Sequence, residues 1–428
     1  MTLSLFLGVS VAHSLDTAPK FWPKYSGNRK VTLLDGASWE YGLHFDIADS
    51  VGVDPSKLAN LTPNKTAVPS CIDAVAPGYA GPRGVAFYRT TFSQAADTPA
   101  RLWFGACSFY CRVFVDGVQV GEHRAGGYVA FHVDVPPPSS SDADRELLVL
   151  ADNRFNSTTA PLHTGGDFWH YGGLMRSVAL HELRPKTSVT LPWVWRAYAL
   201  PSDAALDAVN VTLVLDDAKF HGRYSFHLGF DDNAPAWLEG KANNGIVQLS
   251  RVKVPSPRVW KGVSDPQLHT LNVSVGGGTV MERFALRWWD TDASGRLTLN
   301  GDVIKLHGWN HHTQWPDTGA APTDAQLDAD LALLLKAGTN YVRGAHYPQD
   351  QRWLDRLDEN GVAMWEETLG PRAIRAQFVS NSIRRNSSDA PPPLYRARRL
   401  HQKPQRSGVD EAPAHPARRD DGCVAQPR

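Results

Sequence analysis

Two adjacent carboxylates, Glu366 and Glu367, end the apolar segment VAMWEE. Carboxyl pairs perform acid–base and nucleophilic chemistry when both groups reach the same reacting bond. The segment is typical of a buried strand, and neighbouring strand residues point to opposite faces of the sheet. The two groups therefore cannot act as a pair on one bond, although Glu367 could line a pocket at the end of the strand.

Asn310 and His346 are a second candidate group, because each follows an apolar segment directly. Barrel enzymes place their sites at the carboxyl ends of parallel strands, and amide and imidazole groups suit fixed hydroxyls. A hydrogen-bonded loop histidine beside Pro348 is the alternative for His346. His311 and His312 resemble metal ligands, but adjacent strand residues diverge, so we expect neither a metal nor a cofactor.

Alternating strands and helices must position these side chains. From about Leu297 the chain reads DVIKLHGWN, PTDAQLDADLALLLKAG, TNYVRGAHY, QDQRWLDRLDENG and VAMWEE, a strand–helix–strand–helix–strand order. Thr323 and Gln326 form a capping box, and Gly338 occupies the position after the helix end. This order predicts parallel strands with crossover helices.

The preceding residues predict two β-sandwiches. Between residues 21 and 184, short strands alternate with turn signals, and Asp116-Gly117 within RVFVDGVQVGEHR predicts a type I′ hairpin. Residues 187–290 contain further short strands over about 100 residues, which is typical of an immunoglobulin-like sandwich. Trp is abundant, with 14 residues, and most of it is expected in these cores.

Charge is distributed unevenly although the chain is neutral overall. Residues 372–428 hold 11 Arg and 1 Lys against 5 acidic residues, a net of +7, and they lack apolar periodicity. We expect a disordered basic tail there. The remaining residues carry −7 and offer nothing to a phosphate backbone, and the tail lacks interleaved aromatics, so no nucleic-acid partner is expected.

The N-terminal segment MTLSLFLGVSVAHS predicts a signal peptide over residues 1–18, although it lacks a basic start. Secretion is favoured over a cytoplasmic location by an excess of N-x-S/T sequons. No apolar stretch of 18 residues is present, so no membrane span is expected. The expected glycosylation sites are Asn60, Asn64, Asn156, Asn210 and Asn272, with a further sequon at Asn386.

Cysteine spacing gives no disulfide framework. Cys107 and Cys111, placed on one strand, would lie about 13 Å apart and could not pair. Cys71 could pair with one of them, or all could be buried free thiols.

Four stretches together resemble glycoside hydrolase family 2, the family of β-galactosidases, β-glucuronidases and β-mannosidases. They are GVAFYRTTF with GGDFWHYGGLMRSVALHEL, VWKGVSDPQLHTLNVSV, HGWNHHTQW, and GTNYVRGAHYPQDQRWLDRLDENGVAMWEE. The resemblance implies a mainly β, multidomain fold: a jelly-roll sugar-binding domain at 19–185, an immunoglobulin-like sandwich at 186–292, and part of a (β/α)8 TIM barrel at 293–371, before the tail.

The resemblance also implies roles for individual residues in binding a carbohydrate, a β-glycoside. Asn310 and His312 match the family's Asn-x-His, Arg343 and His346 match its Arg-x-x-His, and both motifs line the sugar pocket. Asp167 matches a sandwich residue that contacts sugar hydroxyls; alternatively it caps a turn.

The family's two catalytic carboxylates have no counterpart that we can identify. Retaining glycosidases need two carboxyls about 5–5.5 Å apart. The resemblance places them on later strands, an acid/base Glu after an Asn and a nucleophile, yet beyond Gly370 the only Glu is Glu411. We therefore expect a family member cut off early in its barrel and inactive as written. A non-catalytic sugar-binding sandwich protein is the alternative.

Overall fold

The computed structural model describes residues 20–44, 63–75, 83–124, 126–138, 144–154, 169–183, 191–367 and 426–427. Asp167, Asn60, Asn156, Asn386, the expected signal peptide and almost all of the basic tail lie outside these residues. Within them, no helix is long and apolar enough to cross a membrane.

The first sandwich consists of two antiparallel sheets around one apolar core. Its six-stranded sheet has the order β4-β3-β5-β10-β7-β8, and its four-stranded sheet β2-β11-β6-β9. The elements, with β1 included, are β1 Lys24–Gly27, β2 Val31–Leu33, β3 Gly36–His44, β4 Asn64–Val68, α1 Ile72–Val75, β5 Val85–Phe92, β6 Ala100–Phe104, β7 Tyr110–Val115, β8 Val118–His123, β9 Phe131–Val135, β10 Arg145–Asp152 and β11 Val178–Glu182.

The predicted hairpin at Asp116-Gly117 is present between β7 and β8. Both turn residues have positive φ, +51° and +75°, as a type I′ turn requires. Trp39, Tyr88 and Phe104 pack fully buried between the sheets.

The second sandwich is an eight-stranded antiparallel sheet, β1-β18-β17-β14-β15-β16-β13-β12, folded so that β12 packs against β17 and β18. Tyr224, Phe226 and Leu271 lie in its core. Its remaining strands are β12 Val194–Pro201, β13 Ala208–Leu215, β14 Gly222–Phe230, β15 Ala236–Asn243, β16 Ile246–Lys253, β17 His269–Val275 and β18 Gly278–Phe284.

Strand β1 belongs to this second sheet, although the sequence pattern placed residues 24–27 in the first domain. Lys24 pairs with Met281 and Gly27 with Gly278. The pattern of a four-residue strand records which residues are extended but not which sheet edge they complete.

The parallel unit follows a small three-stranded sheet and has the predicted order. The small sheet comprises β19 Trp289–Thr291, β20 Leu297–Leu299 and β21 Asp302–Val303. The parallel unit comprises β22 Gly308–His311, α2 Asp324–Lys336, β23 Tyr341–Gly344, α3 Gln351–Glu359 and β24 Ala363–Glu366. Strands β22, β23 and β24 are parallel, and β25, Gln426–Pro427, pairs antiparallel with β24.

Local sequence signals fix helix α2. Thr323 Oγ1 accepts from the Gln326 amide, the Gln326 side chain accepts from the Thr323 amide, and Gly338 has φ +73° beyond the helix end. Leu327 and Leu331 bury the inner face. The single strand expected in DVIKLHGWN is wrong, because its first residues pair in the three-stranded sheet and only Gly308–His311 joins the parallel sheet.

Cys107 and Cys111 form a disulfide, which overturns the expectation that they cannot pair. The error was to place both on one extended strand: β7 begins at Tyr110, and Cys107 lies in the irregular segment before it. Their Cα atoms are 6.3 Å apart, a separation that a disulfide spans. Cys71 is a buried free thiol.

Candidate functional site

Three side chains form the centre of the candidate site at the carboxyl ends of β22, β23 and β24. Asn310 and Arg343 are register partners on adjacent parallel strands, so their side chains project to the same face. Arg343 donates to Asn310 Oδ1 at 3.2 Å, and its Nη2 lies 2.5 Å from Glu367 Oε1. The Glu367 side chain is only 1% exposed, which makes it the buried anchor of the cluster.

His346 completes this cluster from the loop after β23. Its Nδ1 lies 2.8 Å from Glu367 Oε2 and 3.2 Å from Arg343 Nη2. One Nδ1 cannot donate to the carboxylate and accept from the guanidinium at once. Because a carboxylate only accepts and its contact is the shorter, Nδ1 carries a proton and donates it to Glu367.

His312 lies beside His346, with ring centroids 5.2 Å apart in an edge-to-face arrangement. His312 also contacts the ring of Tyr347 at 6.0 Å. Tyr347 stacks on Tyr128 of the first sandwich at 4.0 Å, and burial raises the pKa of the Tyr347 hydroxyl. This stacked pair therefore joins the first sandwich to the barrel loop beside His312.

Glu366 faces different partners from Glu367, as expected for adjacent residues at a strand end. Its Oε1 accepts from the buried backbone N–H of Gln349 at 3.1 Å. The Gln349 side-chain Oε1 accepts from the Thr313 hydroxyl. Glu366 thus fastens the loop that follows His346 to β24, while Glu367 points into the cluster.

The first sandwich reaches the barrel residues through Gln314. Gln314 Nε2 donates to the Trp169 carbonyl at 3.2 Å and to the Tyr347 hydroxyl at 3.1 Å. Trp169 follows Asp167 by two residues, and Asp167 itself lies outside the described residues. The first sandwich therefore contacts the barrel unit at Trp169, and the predicted sugar contact of Asp167 stays a prediction.

The structure brings together Asn310, His312, Arg343, His346 and Glu367, the five described residues that sequence reasoning selected. It adds Gln314 and Tyr347, which that reasoning missed although Gln314 lies within HGWNHHTQW. No group of three His, Cys, Asp or Glu side chains in the described part of the chain is arranged to hold a metal ion. Amide, guanidinium, imidazole and carboxylate groups clustered at the ends of parallel strands suit a ligand rich in hydroxyls.

Family models match part of the first sandwich and the barrel unit. Residues 292–402 match the TIM barrel domain of glycosyl hydrolases family 2, and residues 53–154 match the second all-β domain of β-galactosidase. The parallel unit is therefore similar to the barrel of glycoside hydrolase family 2. The barrel match continues past residue 371, into the segment that the sequence pattern assigned to the basic tail.

Curated proteins similar to this chain carry more than one substrate name. The chain is 28% identical over 297 residues to a β-glucuronidase of Bacteroides fragilis and 27% identical over 318 residues to a β-galactosidase of Thermoanaerobacter pseudethanolicus. These alignments cover 63% and 71% of this chain.

A solved family 2 β-galacturonidase from Eisenbergiella tayi, bound to galacturonate, is 25% identical with a TM-score of 0.65. It covers 80% of this chain, and the chain covers 58% of it. The chain spans 41% and 42% of the two curated relatives.

Proposed function

We propose that the Asn310–Arg343–His346–Glu367 cluster binds the sugar ring of a β-glycoside, a β-galactoside or a β-glucuronide. Hydrolysis of the O-glycosyl bond then requires carboxylates other than those that end β24. Similarity to family 2 glycosyl hydrolases supports the carbohydrate ligand, and the cluster geometry supports the site.

One observation carries the proposal: a nearly inaccessible Glu367 carboxylate holds Arg343 and His346 at the mouth of the parallel strands. An arginine fixed in this way presents its remaining N–H groups without a large loss of side-chain entropy on binding. The Glu367 carboxylate contacts Arg343 and His346, and the Glu366 carboxylate accepts from the backbone N–H of Gln349. Neither is placed as one of two carboxyls flanking a single bond, as retaining hydrolysis requires.

Calorimetric titration of the full chain with methyl β-glycosides of galactose and glucuronic acid tests the binding. Replacing Arg343 by Met should weaken binding about tenfold or more, since hydrogen bonds from charged groups contribute ~1.5–3 kcal/mol. Arg223→Met is the matched control, because Arg223 lies on the second sandwich with an 80% exposed side chain. Unchanged affinity in the Arg343 variant would show that the cluster is not the sugar site.

Chromogenic β-glycosides test the second part of the proposal. We expect the wild-type chain to bind them without releasing the chromophore. Release that disappears in Glu367→Gln would show that Glu367 acts directly in hydrolysis. Binding with no hydrolysis even in a longer form of the protein would favour a non-catalytic carbohydrate-binding protein.

We further propose a secretory location, which the Cys107–Cys111 disulfide supports because disulfides persist in oxidising compartments. Asn64 and Asn210 are exposed and offer acceptor amides for glycans. The Asn272 amide nitrogen, the atom that would carry a glycan, donates instead to the Asp231 carbonyl at 2.9 Å. Glycopeptide mapping after expression in a eukaryotic secretory host should find glycans at Asn64 and Asn210 and none at Asn272.

A further inference from the structure

Trp169 is a surface tryptophan held in one orientation. It is 45% exposed, and its indole Nε1 donates to Asp73 Oδ1 at 3.0 Å. Asp73 is itself only 1% exposed on α1, and its other oxygen accepts from the Gly172 amide at 3.1 Å. A buried carboxylate that binds both the ring edge and the nearby backbone fixes the indole plane.

One face of this indole is already covered. The Arg83 guanidinium lies 5.2 Å from the ring centroid, within the range of a cation–π contact. Arg83 is held there by donating to the His170 carbonyl at 2.8 Å and to the Asn153 carbonyl at 3.3 Å. With one face and one edge occupied, the exposed area of Trp169 lies mainly on the opposite face.

The backbone of Trp169 is linked to the sugar cluster through side chains of the barrel unit. The Trp169 carbonyl accepts from Gln314, and Gln314 also donates to Tyr347, whose ring contacts His312. His312 in turn contacts His346 of the cluster. Three side chains, Gln314, Tyr347 and His312, therefore connect Trp169 to the cluster.

We propose that Trp169 is a stacking platform for the ring attached to the glycosidic oxygen, either an aryl group or a second pyranose. This proposal rests on the proposed sugar site and extends it to the leaving-group side. The indole face attracts aromatic rings and the apolar face of a sugar, and its fixed orientation lowers the entropic cost of stacking.

Trp237 supplies a matched control. It is 62% exposed, and its ring contacts His227 at 4.9 Å on the second sandwich. Its exposure is greater than that of Trp169, but its strand, β15, lies on the second sandwich and contributes no residue to the sugar cluster.

The experiment compares phenyl and methyl β-glycosides of galactose and of glucuronic acid by calorimetry on the full chain. The two aglycones differ in the ring that Trp169 would stack. We expect the phenyl glycoside of the recognised sugar to bind about three- to tenfold more tightly than its methyl counterpart. Trp169→Ala should reduce that ratio to about one, with methyl affinity within about twofold of wild type, whereas Trp169→Phe should retain most of it and Trp237→Ala all of it.

The outcomes separate this proposal from the one on which it rests. An unchanged phenyl-to-methyl ratio in Trp169→Ala, with methyl binding still lost in Arg343→Met, overturns the platform alone. A ratio that Trp169→Ala abolishes, with affinities that Arg343→Met leaves intact, supports the platform and overturns the sugar cluster. Failure of all four glycosides to bind the wild-type chain overturns both. Far-UV circular dichroism and thermal melting confirm that each variant is folded.

Discussion

Arg176 of the first sandwich donates to the carbonyl oxygen of Pro348 in the barrel at 2.6 Å. The same guanidinium donates to the Tyr128 carbonyl at 2.7 Å, and it is nearly buried. One side chain therefore joins the first sandwich to the loop that carries His346. The site is consequently held from two domains.

Replacing Arg176 by Ala should destabilise the chain by about 2–4 kcal/mol, because two carbonyls buried in the interface lose their donors. Urea unfolding followed by fluorescence measures the loss. The exposed Arg223→Ala should stay within ~0.5 kcal/mol of wild type. A similar small change in Arg176→Ala would mean that the domains do not depend on this contact.

Glu366→Gln and Glu367→Gln form a matched pair of adjacent substitutions. The Glu367 variant should bind the recognised glycoside about tenfold more weakly, because Arg343 and His346 lose their shared carboxylate. The Glu366 variant should bind within about twofold of wild type, because a Gln oxygen can still accept from Gln349. Equal losses in both titrations would contradict the different placements of these two side chains.

Glu282 on β18 should make stability depend on pH. Burial raises the pKa of its carboxyl to about 7, against the opposing attraction of Arg196 and Arg283, with Asp355 adding to the increase. A folded-state pKa above the unfolded value means that the folded chain holds an extra proton between about pH 4.5 and 7. The stability that this proton contributes is therefore lost as pH rises through that window.

Glu282→Gln should remove this pH dependence of stability, because the Gln side chain does not titrate. We expect Glu282→Gln and wild type to unfold at similar urea concentrations near pH 4.5, and the variant to be about 1–3 kcal/mol more stable at pH 8. Burial lowers the pKa of His132 to about 4, an opposite trend that both proteins share and that cancels in the difference. A constant difference across pH would show that Glu282 titrates normally.

The Cys107–Cys111 disulfide lies within one tryptic peptide, residues 102–112. Digestion without reductant, with free thiols alkylated beforehand, should give this peptide two hydrogen atoms lighter than its dithiol form and without added alkyl groups. Reduction first should give the doubly alkylated peptide. Closing so short a loop contributes about 2 kcal/mol in the chain-entropy estimate, which urea unfolding with and without dithiothreitol would detect. Alkylation at both cysteines without reduction would exclude the bond.

Sequence patterns identified elements whose signals are local. The capping box of Thr323 and Gln326, the positive-φ turn at Asp116-Gly117, and the strand–helix alternation each depend on a few neighbouring residues. The described site residues came from a resemblance to the family motifs Asn-x-His and Arg-x-x-His, and Glu367 from its position at the end of a predicted strand.

Features that depend on distant partners could not be read in this way. The apolar pattern around Cys107 does not reveal that the extended strand starts only at Tyr110. Arg176 and Gln314 bind carbonyl oxygens more than 140 positions away in the chain, and a carbonyl acceptor leaves no residue signature. Interdomain contacts of this kind are fixed by packing rather than by local preference.

The pairing of β1 with β18 also constrains the order of events during synthesis. Lys24 leaves the ribosome 257 residues before its partner Met281, the difference between 281 and 24. At ~5–20 residues per second, the N-terminal strand waits about 13 to 50 seconds for the edge that it completes. The first sandwich can acquire its core during that interval, but the chain start stays an open strand until the second sandwich has been made.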